Sequence, residues 1–212
     1  MQPLTFDIDP DAADADGLGA ANSSAGATYT LDGALTSGGT FTSADGLAPR
    51  LNITDVGADV QTSATYTVTG TDQNDAALVE AVTGPGASAT VETTGYFKTV
   101  SSVTIASPVA GTTADIGTVD EVSGQTVPID RRSEYGCNVS IDVTGTQNYT
   151  VQETFVDIQR QAPVWFDITA LTSKTANLTS STTVAATAFR FKLNSYTTGA
   201  ETQIYTTQPL SV

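Results

Sequence analysis

The sequence predicts an all-β protein, with a β-sandwich or jelly-roll-like arrangement in one or two lobes. Segments rich in Val and Thr alternate apolar and polar residues with the period of two that is typical of half-buried strands. Gly, Asn and Asp turns separate these segments at spacings suited to a sandwich. No apolar repeat of helical period extends beyond about three turns. At 212 residues the chain is long enough to bury a core without disulfides.

The first 26 residues are predicted to form an N-terminal arm and an acidic loop. Leu4, Phe6 and Ile8 alternate with polar residues, which indicates a short strand or extended arm that can lie along a sheet edge. The Asp-, Ala- and Gly-rich stretch that follows has few large apolar groups, so we expect an exposed or mobile loop. Its aspartates, Asp7, Asp9, Asp11, Asp14 and Asp16, suggest calcium, but no frame matches an EF-hand loop. A solvated acidic loop is the preferred interpretation.

Residues 27–120 are predicted to form an acidic β-sandwich lobe. The range 64–68 alternates Ala, Tyr and Val with Thr, the range 70–75 is a polar turn, and the chain returns through 78–83. Gly84-Pro85-Gly86 ends that strand, because proline lacks a ladder donor. Beyond Pro108 the residues are small and polar, which indicates a connector between two lobes.

Residues 121–212 are predicted to form a second, near-neutral β lobe. Val139, Ile141 and Val143 share one strand face. In the range 149–157, Glu153 and Asp157 share a face with apolar residues, so we expect that face to be partly solvated. Near the C-terminus, Phe189, Phe191 and Leu193 alternate with two basic residues.

Charge is distributed unevenly along the chain. Residues 1–130 carry 17 acidic and 2 basic side chains, and residues 131–212 carry six of each, which gives the net charge of −15. Phosphate backbones are bound by Lys and Arg, so nucleic acid is not an expected partner. The acidic half should repel anionic membranes, and the neutral half is better suited to packing against a protein.

Several kinds of chemistry are made improbable by composition. The chain has no histidine and one cysteine, Cys137, so His-dependent hydrolysis, a disulfide and a Cys-built metal site are not expected. Carboxylate-only mechanisms such as glycoside hydrolysis remain open. Asp72, Asp75 and Glu80 lie close together in sequence, but Asp at a turn ordinarily caps local N–H groups. We therefore predict no catalytic residues, metal site or cofactor.

The N-terminal residues have neither the basic nor the apolar region of a signal peptide, and no apolar run reaches membrane-spanning length. The expectation is a chain that begins at Met1, is made in a cytoplasm and has no membrane partner.

Seven residues are the candidates for contact with other proteins. They are the arm residues Leu4, Phe6 and Ile8, the pair Arg131 and Arg132, and Trp165 with Phe166 in the densest apolar segment. A paired Arg can bind phosphate, but a salt bridge to a neighbouring carboxylate or to another subunit is preferred. Trp165 is predicted to be a core or interface anchor, with a carbohydrate platform as the alternative.

Three phrases in the central run carry a resemblance to a known group of proteins. They are TGTD at 69–72, E-x-V-T-G-P at 80–85 and YFKTV-x-S-V-T at 96–104. In this order they resemble a β-rich module of structural proteins from tailed-bacteriophage virions, over about a fifth of the chain. The C-terminal hairpin is similar to the closing strands of phage virion β domains, although less specifically.

The resemblance implies a non-enzymatic virion component that contacts other virion proteins. A homo-oligomeric capsid decoration or cement protein, usually a trimer that clamps coat subunits, is favoured. The alternative in the same class is a neck, tail or fibre-base protein. A glycan-binding module or carboxylate glycosidase for host recognition is the alternative from another class, based on Trp165, the tyrosines and the available acids.

Overall fold

The computed structural model describes residues 4–23, 25–129, 137–182 and 185–207. In these ranges the protein is all-β: the strands form antiparallel sheets, and one short 3₁₀ helix is present. The predicted all-β class is therefore confirmed, and the layered sheets are consistent with a β-sandwich. Arg131 and Arg132 lie outside the described residues.

In chain order, the strands of the described residues are β1 (Leu4–Ile8), β2 (Gly19–Ser23), β3 (Thr28–Tyr29), β4 (Thr36–Ser37), β5 (Thr40–Thr42), β6 (Ala48–Asp55), β7 (Thr65–Thr71), β8 (Ala77–Thr83), β9 (Thr90–Glu92), β10 (Thr99–Ala106), β11 (Thr113–Ser123), β12 (Val127–Pro128), β13 (Cys137–Thr144), β14 (Gln147–Thr154), β15 (Phe166–Asp167), β16 (Leu178–Thr182), β17 (Ala188–Tyr196) and β18 (Glu201–Thr207). The 3₁₀ helix covers Thr169–Leu171.

The chain divides into two compact units. The N-terminal unit is Ala13–Val122, and the C-terminal unit is Ser123–Val212 together with Met1–Ala12. The predicted arm and loop at 1–26 is thus shared between the two, because its first part belongs to the C-terminal unit. The N-terminal unit has 13 acidic and 2 basic residues, and the C-terminal unit has 10 acidic and 6 basic residues.

In the N-terminal unit two sheets enclose one core. The first sheet has the order β4-β5-β10-β7-β8, and β3 also pairs with β10. The second contains β11-β6-β9, with β2 paired to β11. The alternation predicted for 64–68 is confirmed, since Ala64, Tyr66 and Val68 are buried and pack with Leu51, Ile53 and other core residues.

Two segments of the N-terminal unit are more buried than their composition indicates. The small polar segment beyond Pro108 contains the boundary between the two units, and it also forms β11, where Ala114 and Ile116 are fully buried. The acidic stretch is not wholly an exposed loop, because Leu18 is fully buried in the core and β2 pairs with β11. Small residues such as Gly117 permit close backbone packing in this region, since a Cβ at that position would lie 2.0 Å from the Asp14 carbonyl oxygen.

The C-terminal unit is also built from two facing groups of strands. One sheet has the order β1-β18-β13-β16. In the other group β14 lies between β15 and β17, and β12 also pairs with β17. The alternations predicted for both groups are confirmed, because Val139 and Ile141 are buried on β13 and Phe189, Phe191 and Leu193 are buried on β17.

Packing between these two groups leaves an apolar cavity of about 40 Å³. Phe6, Ile8, Val139 and Ile204 line it from one side, and Val151, Phe189 and Phe191 line it from the other. Thr206 is also on the lining, and its buried hydroxyl has no hydrogen-bond partner. This partly open apolar pocket therefore has an unsatisfied polar atom on its lining.

Candidate protein-contact site

An exposed apolar surface lies at the end of β14 in the C-terminal unit. Phe155 is 46% exposed, Val164 is 56% exposed and Phe166 is 51% exposed. The rings of Phe155 and Phe166 have their centroids 6.0 Å apart with a tilt of 51°, so they form one surface. We call Phe155 and Phe166 the aromatic patch.

Strand pairing explains why the two phenylalanines meet. β15 pairs with the end of β14 so that Phe166 lies opposite Glu153, and β14 ends at Thr154. Phe155 is the next residue, and it extends beyond the ladder toward the Phe166 ring. Large apolar side chains at the end of a short edge pairing have few neighbours to cover them, which leaves both rings half-exposed.

Trp165 has a different role from Phe166. The Arg190 guanidinium lies 4.7 Å from the centroid of the indole, and Trp165 is only partly exposed. The Arg190 Nε–H donates to Gln152 Oε1 at 2.6 Å, and the Gln152 amide donates to Asp167 Oδ1 at 2.6 Å. A cation–π contact of this kind contributes about 0.5–1 kcal/mol at an exposed site. Trp165 thus fixes the 164–167 segment to β14 and β17 within the chain itself.

Glu153 lies beside the aromatic patch in an unusual environment. It is in register with Phe166 on β15 and with Phe189 on β17, so it shares their face of the sheet. Its Oε2 atom is buried and has no hydrogen-bond partner. Burial raises the pKa of the Glu153 carboxyl above its ordinary value. The strand face that was predicted to be partly solvated therefore exposes the Glu153 carboxyl to water less than the sequence indicated.

The predicted arm is the edge strand β1. It pairs antiparallel with β18 from Leu4↔Thr206 to Ile8↔Thr202 and lies at the end of its sheet. The prediction of a strand along a sheet edge is confirmed. Leu4 is 37% exposed, Phe6 is partly buried and Ile8 is buried, so the arm already packs against its own chain. Its role in contacts with other proteins stays a prediction.

The carboxylates of the central run are occupied in holding the N-terminal unit together. Asp72 Oδ1 accepts from the N–H groups of Asn74 and Ala76, as predicted for a turn. Asp75 accepts from Lys98 Nζ at 2.7 Å. Glu80 accepts from two consecutive N–H groups at 94 and 95, at 2.7 and 2.8 Å.

Two glycines of the same phrases are required by close backbone packing. A Cβ on Gly70 would lie 1.8 Å from the Thr99 carbonyl oxygen, and one on Gly84 would lie 2.3 Å from the Gln61 carbonyl oxygen. Residues of the phrases TGTD, E-x-V-T-G-P and YFKTV therefore make contacts that hold the N-terminal unit together.

A buried polar network in the N-terminal unit was not predicted. Asp55 is buried and accepts from the N–H groups of Ser88 and Asp59 and from the Gln61 amide, at 2.8–3.0 Å. The Tyr66 hydroxyl donates to Gln61 Oε1. Burial tends to raise the pKa of Asp55, but the hydrogen bonds from Ser88, Gln61, Asp59 and Gly57 outweigh it, and the pKa is lowered. Asp59 and Gln61 follow Asp55 closely in sequence, but Ser88 comes from a turn that is distant in sequence, so the complete network was not visible in any local pattern.

Both basic residues of the N-terminal unit are used internally. Arg50 lies 3.0 Å from Glu92 and 2.9 Å from Glu121, and Lys98 pairs with Asp75. No basic residue of this unit is left without an acidic neighbour, as far as the described ranges extend. The unit therefore presents a predominantly acidic surface.

The described residues contain no group of three or more His, Cys, Asp or Glu side chains placed to hold a metal ion. Cys137 is buried, and burial raises the pKa of its thiol. Within the same described ranges, no helix has the length and apolar character needed to cross a bilayer.

Comparison with known proteins gives no relative for this chain. No family model matches it, and neither the curated proteins nor the solved structures yield a match.

Proposed function

We propose that this chain is a non-enzymatic structural component of a tailed-bacteriophage particle. The three ordered phrases of the central run support the class of protein, because they resemble a module of such virions. The aromatic patch supports the mode of action, because a half-exposed pair of phenylalanines is suited to contact with another protein. The aromatic patch is the observation that carries the proposal of an assembly role.

The energy available from the aromatic patch is appropriate for such a role. Burying the exposed half of one phenylalanine side chain contributes about 1 kcal/mol or slightly more. The two rings together supply about 2 kcal/mol, which is a central anchor of a larger interface and not a complete interface. In a symmetric assembly this contribution is repeated at every copy.

Within the particle, a head decoration or cement protein is the favoured position, with a homotrimer as the favoured assembly and coat subunits as neighbours. A neck, tail or fibre-base position is the alternative. The acidic N-terminal unit would remain toward solvent in either position, since its two cations are paired internally.

Glycan recognition is a second candidate, supported by Trp165 with the nearby polar side chains of Gln152 and Asp167. Arg190 lies over the indole, which leaves less of the ring free for stacking against a sugar. A glycan array and a turnover assay on host polysaccharide test this candidate. Binding or turnover that is lost in Trp165→Ala would support it over the structural role.

The proposed function is tested by adding purified protein to phage heads that lack it and to isolated tails. We expect co-sedimentation with expanded heads and a loss of about fivefold to tenfold in affinity for Phe166→Ser, since about 1.4 kcal/mol corresponds to a factor of ten. Val60→Ser is the matched control, because Val60 is 59% exposed in the N-terminal unit. Binding to tails alone would move the protein to the neck or tail. Absence of binding to either structure would overturn the proposal.

A further inference from the structure

The buried, unpartnered carboxylate oxygen of Glu153 requires an explanation. An ionised carboxylate that loses water without gaining a hydrogen bond costs several kcal/mol, so buried acids are normally paired. Thr150, Gln152 and Asp157 on the same segment all have hydrogen bonds or ion pairs. Glu153 Oε2 has none.

Within the part of the chain that the structure describes, the strands that pair with β14 supply no cation to Glu153. In the antiparallel pairing of β14 with β17, Glu153 lies opposite Phe189, and Arg190 lies opposite Gln152. Directly opposed residues share a face of the sheet, so Arg190 projects to the other side, where it binds Gln152 and covers Trp165. On the β15 side the residue opposite Glu153 is Phe166.

The immediate surroundings of Glu153 are aromatic and partly open. Phe166 is in register with it, Phe155 follows two residues later, and both rings are about half-exposed. Glu153 itself keeps some exposure, and the terminal torsion of a Glu side chain rotates over a broad range. A group that arrives over the aromatic patch can therefore reach the carboxylate.

A carboxylate flanked by exposed aromatic rings is complementary to one kind of side chain. A guanidinium forms paired hydrogen bonds to a carboxylate and also stacks on aromatic faces, and it is less strongly hydrated than an ammonium group. We propose that Glu153, Phe155 and Phe166 form a receptor site for an arginine side chain of a neighbouring protein. This inference rests on the proposed assembly role and gives the chemistry of the partner's anchor.

Burial raises the pKa of the Glu153 carboxyl, and this direction agrees with an acid that has no counter-ion among the described residues. An arriving guanidinium would satisfy the buried oxygen and favour the charged carboxylate. The partner's arginine would in turn lose water only where a compensating charge is present. Specificity follows, because a neutral side chain of similar shape would leave Glu153 unpaired.

The test uses the full-length protein and two short blocked peptides, Gly-Arg-Gly and the same peptide with citrulline in place of arginine. Citrulline has nearly the shape of arginine but no charge. Binding is followed by NMR through the ring resonances of Phe155 and Phe166 and the side-chain carboxyl carbon of Glu153. We expect the arginine peptide to shift all three, with weak affinity in the millimolar range that is usual for a single side chain, about −4 kcal/mol. The citrulline peptide should leave them unchanged.

Two variants make the test specific. Glu153→Gln preserves the shape of the side chain and should reduce arginine-peptide binding at least about tenfold. Glu201→Gln removes an exposed carboxylate from the same unit and should leave binding unchanged. Equal shifts from both peptides, or full binding by Glu153→Gln, would overturn the arginine site.

The arginine site and the proposed function can fail independently of each other. If Phe166→Ser abolishes binding to phage heads while the arginine peptide has no effect, the assembly role stands and the arginine site fails. If the arginine peptide binds and the protein ignores heads and tails, the site stands and the virion assignment fails.

Discussion

Substitution of Asp55 by Asn tests the polar network that closes the N-terminal unit. The carboxylate accepts at one oxygen from the N–H groups of Ser88 and Asp59, and at the other from the Gln61 amide. All of these neighbours are donors. An asparagine has one oxygen and one NH₂ group, so whichever way it is turned, at least one donor faces another donor.

The magnitude of this effect follows from the number and kind of bonds. A hydrogen bond to a charged group contributes about 1.5–3 kcal/mol, and a buried donor left unpaired costs about 1–3 kcal/mol. We therefore expect Asp55→Asn to lower the free energy of unfolding of this unit by about 3 kcal/mol at pH 7. Asp59→Asn, an exposed acid four residues later, should change it by less than about 0.5 kcal/mol.

The penalty of Asp55→Asn should also depend on pH. The pKa of Asp55 is lowered in the folded protein, so its contribution to stability is complete above the unfolded pKa of about 3.9. The contribution is lost as the pH falls through the lower folded value. The wild-type protein should lose stability over that acidic range, and the variant should lose less, so the difference between them should shrink.

Hydrogen exchange read by mass spectrometry supplies the measurement. Peptides that cover β6 and β10 report the free energy of opening of the N-terminal unit itself. Hydrogen exchange is measured at pH 7, and a denaturant titration supplies the free energy of unfolding at pH 3. A neutral effect of Asp55→Asn at pH 7, or a penalty of the same size at both pH values, would refute the network.

Two matched pairs of substitutions test packing in the same way, by denaturant unfolding. Gly70→Ala should destabilise the protein by about 2–3 kcal/mol, because its Cβ would lie 1.8 Å from a β10 carbonyl oxygen. Gly86→Ala should be close to neutral, because the nearest atom to its Cβ would lie 3.9 Å away. Equal effects of the two substitutions would contradict the close approach of Gly70 to β10. Thr206→Val should stabilise the C-terminal unit by about 1 kcal/mol, since it removes a buried hydroxyl that has no partner. Thr202→Val should instead destabilise it by about 1 kcal/mol, because that hydroxyl bonds Gln147 at 2.6 Å, and the same sign for both threonines would contradict the assigned roles of the two hydroxyls.

Local patterns were sufficient for much of the fold. The alternation at Ala64, Tyr66 and Val68 predicted which residues are buried in β7 and just before it, because successive side chains of a strand point to opposite faces. The alternation at Phe189 and Phe191 did the same for β17. These predictions succeed because the period of two belongs to the strand itself and does not depend on its partners.

The same rules failed where burial depends on the partner strand. Ala114 and Ile116 lie in a stretch of small and polar residues that has the composition of a loop, yet both are fully buried on β11. Leu18 follows an acidic run and is fully buried in the core of its unit. Small side chains bury little area by themselves, so neighbouring strands decide whether such a segment is exposed or central.

The candidate site shows the same division between local and tertiary information. The sequence by itself determined that Trp165 and Phe166 form an apolar segment and that Glu153 lies on a mixed strand. Only the tertiary structure decided that Arg190 covers Trp165, that Phe155 joins Phe166, and that Glu153 has a buried oxygen with no partner. The physical reason is register: pairing of β14 with β15 and β17 determines which charges meet and which remain unpaired, and register is a property of strands that are distant in sequence.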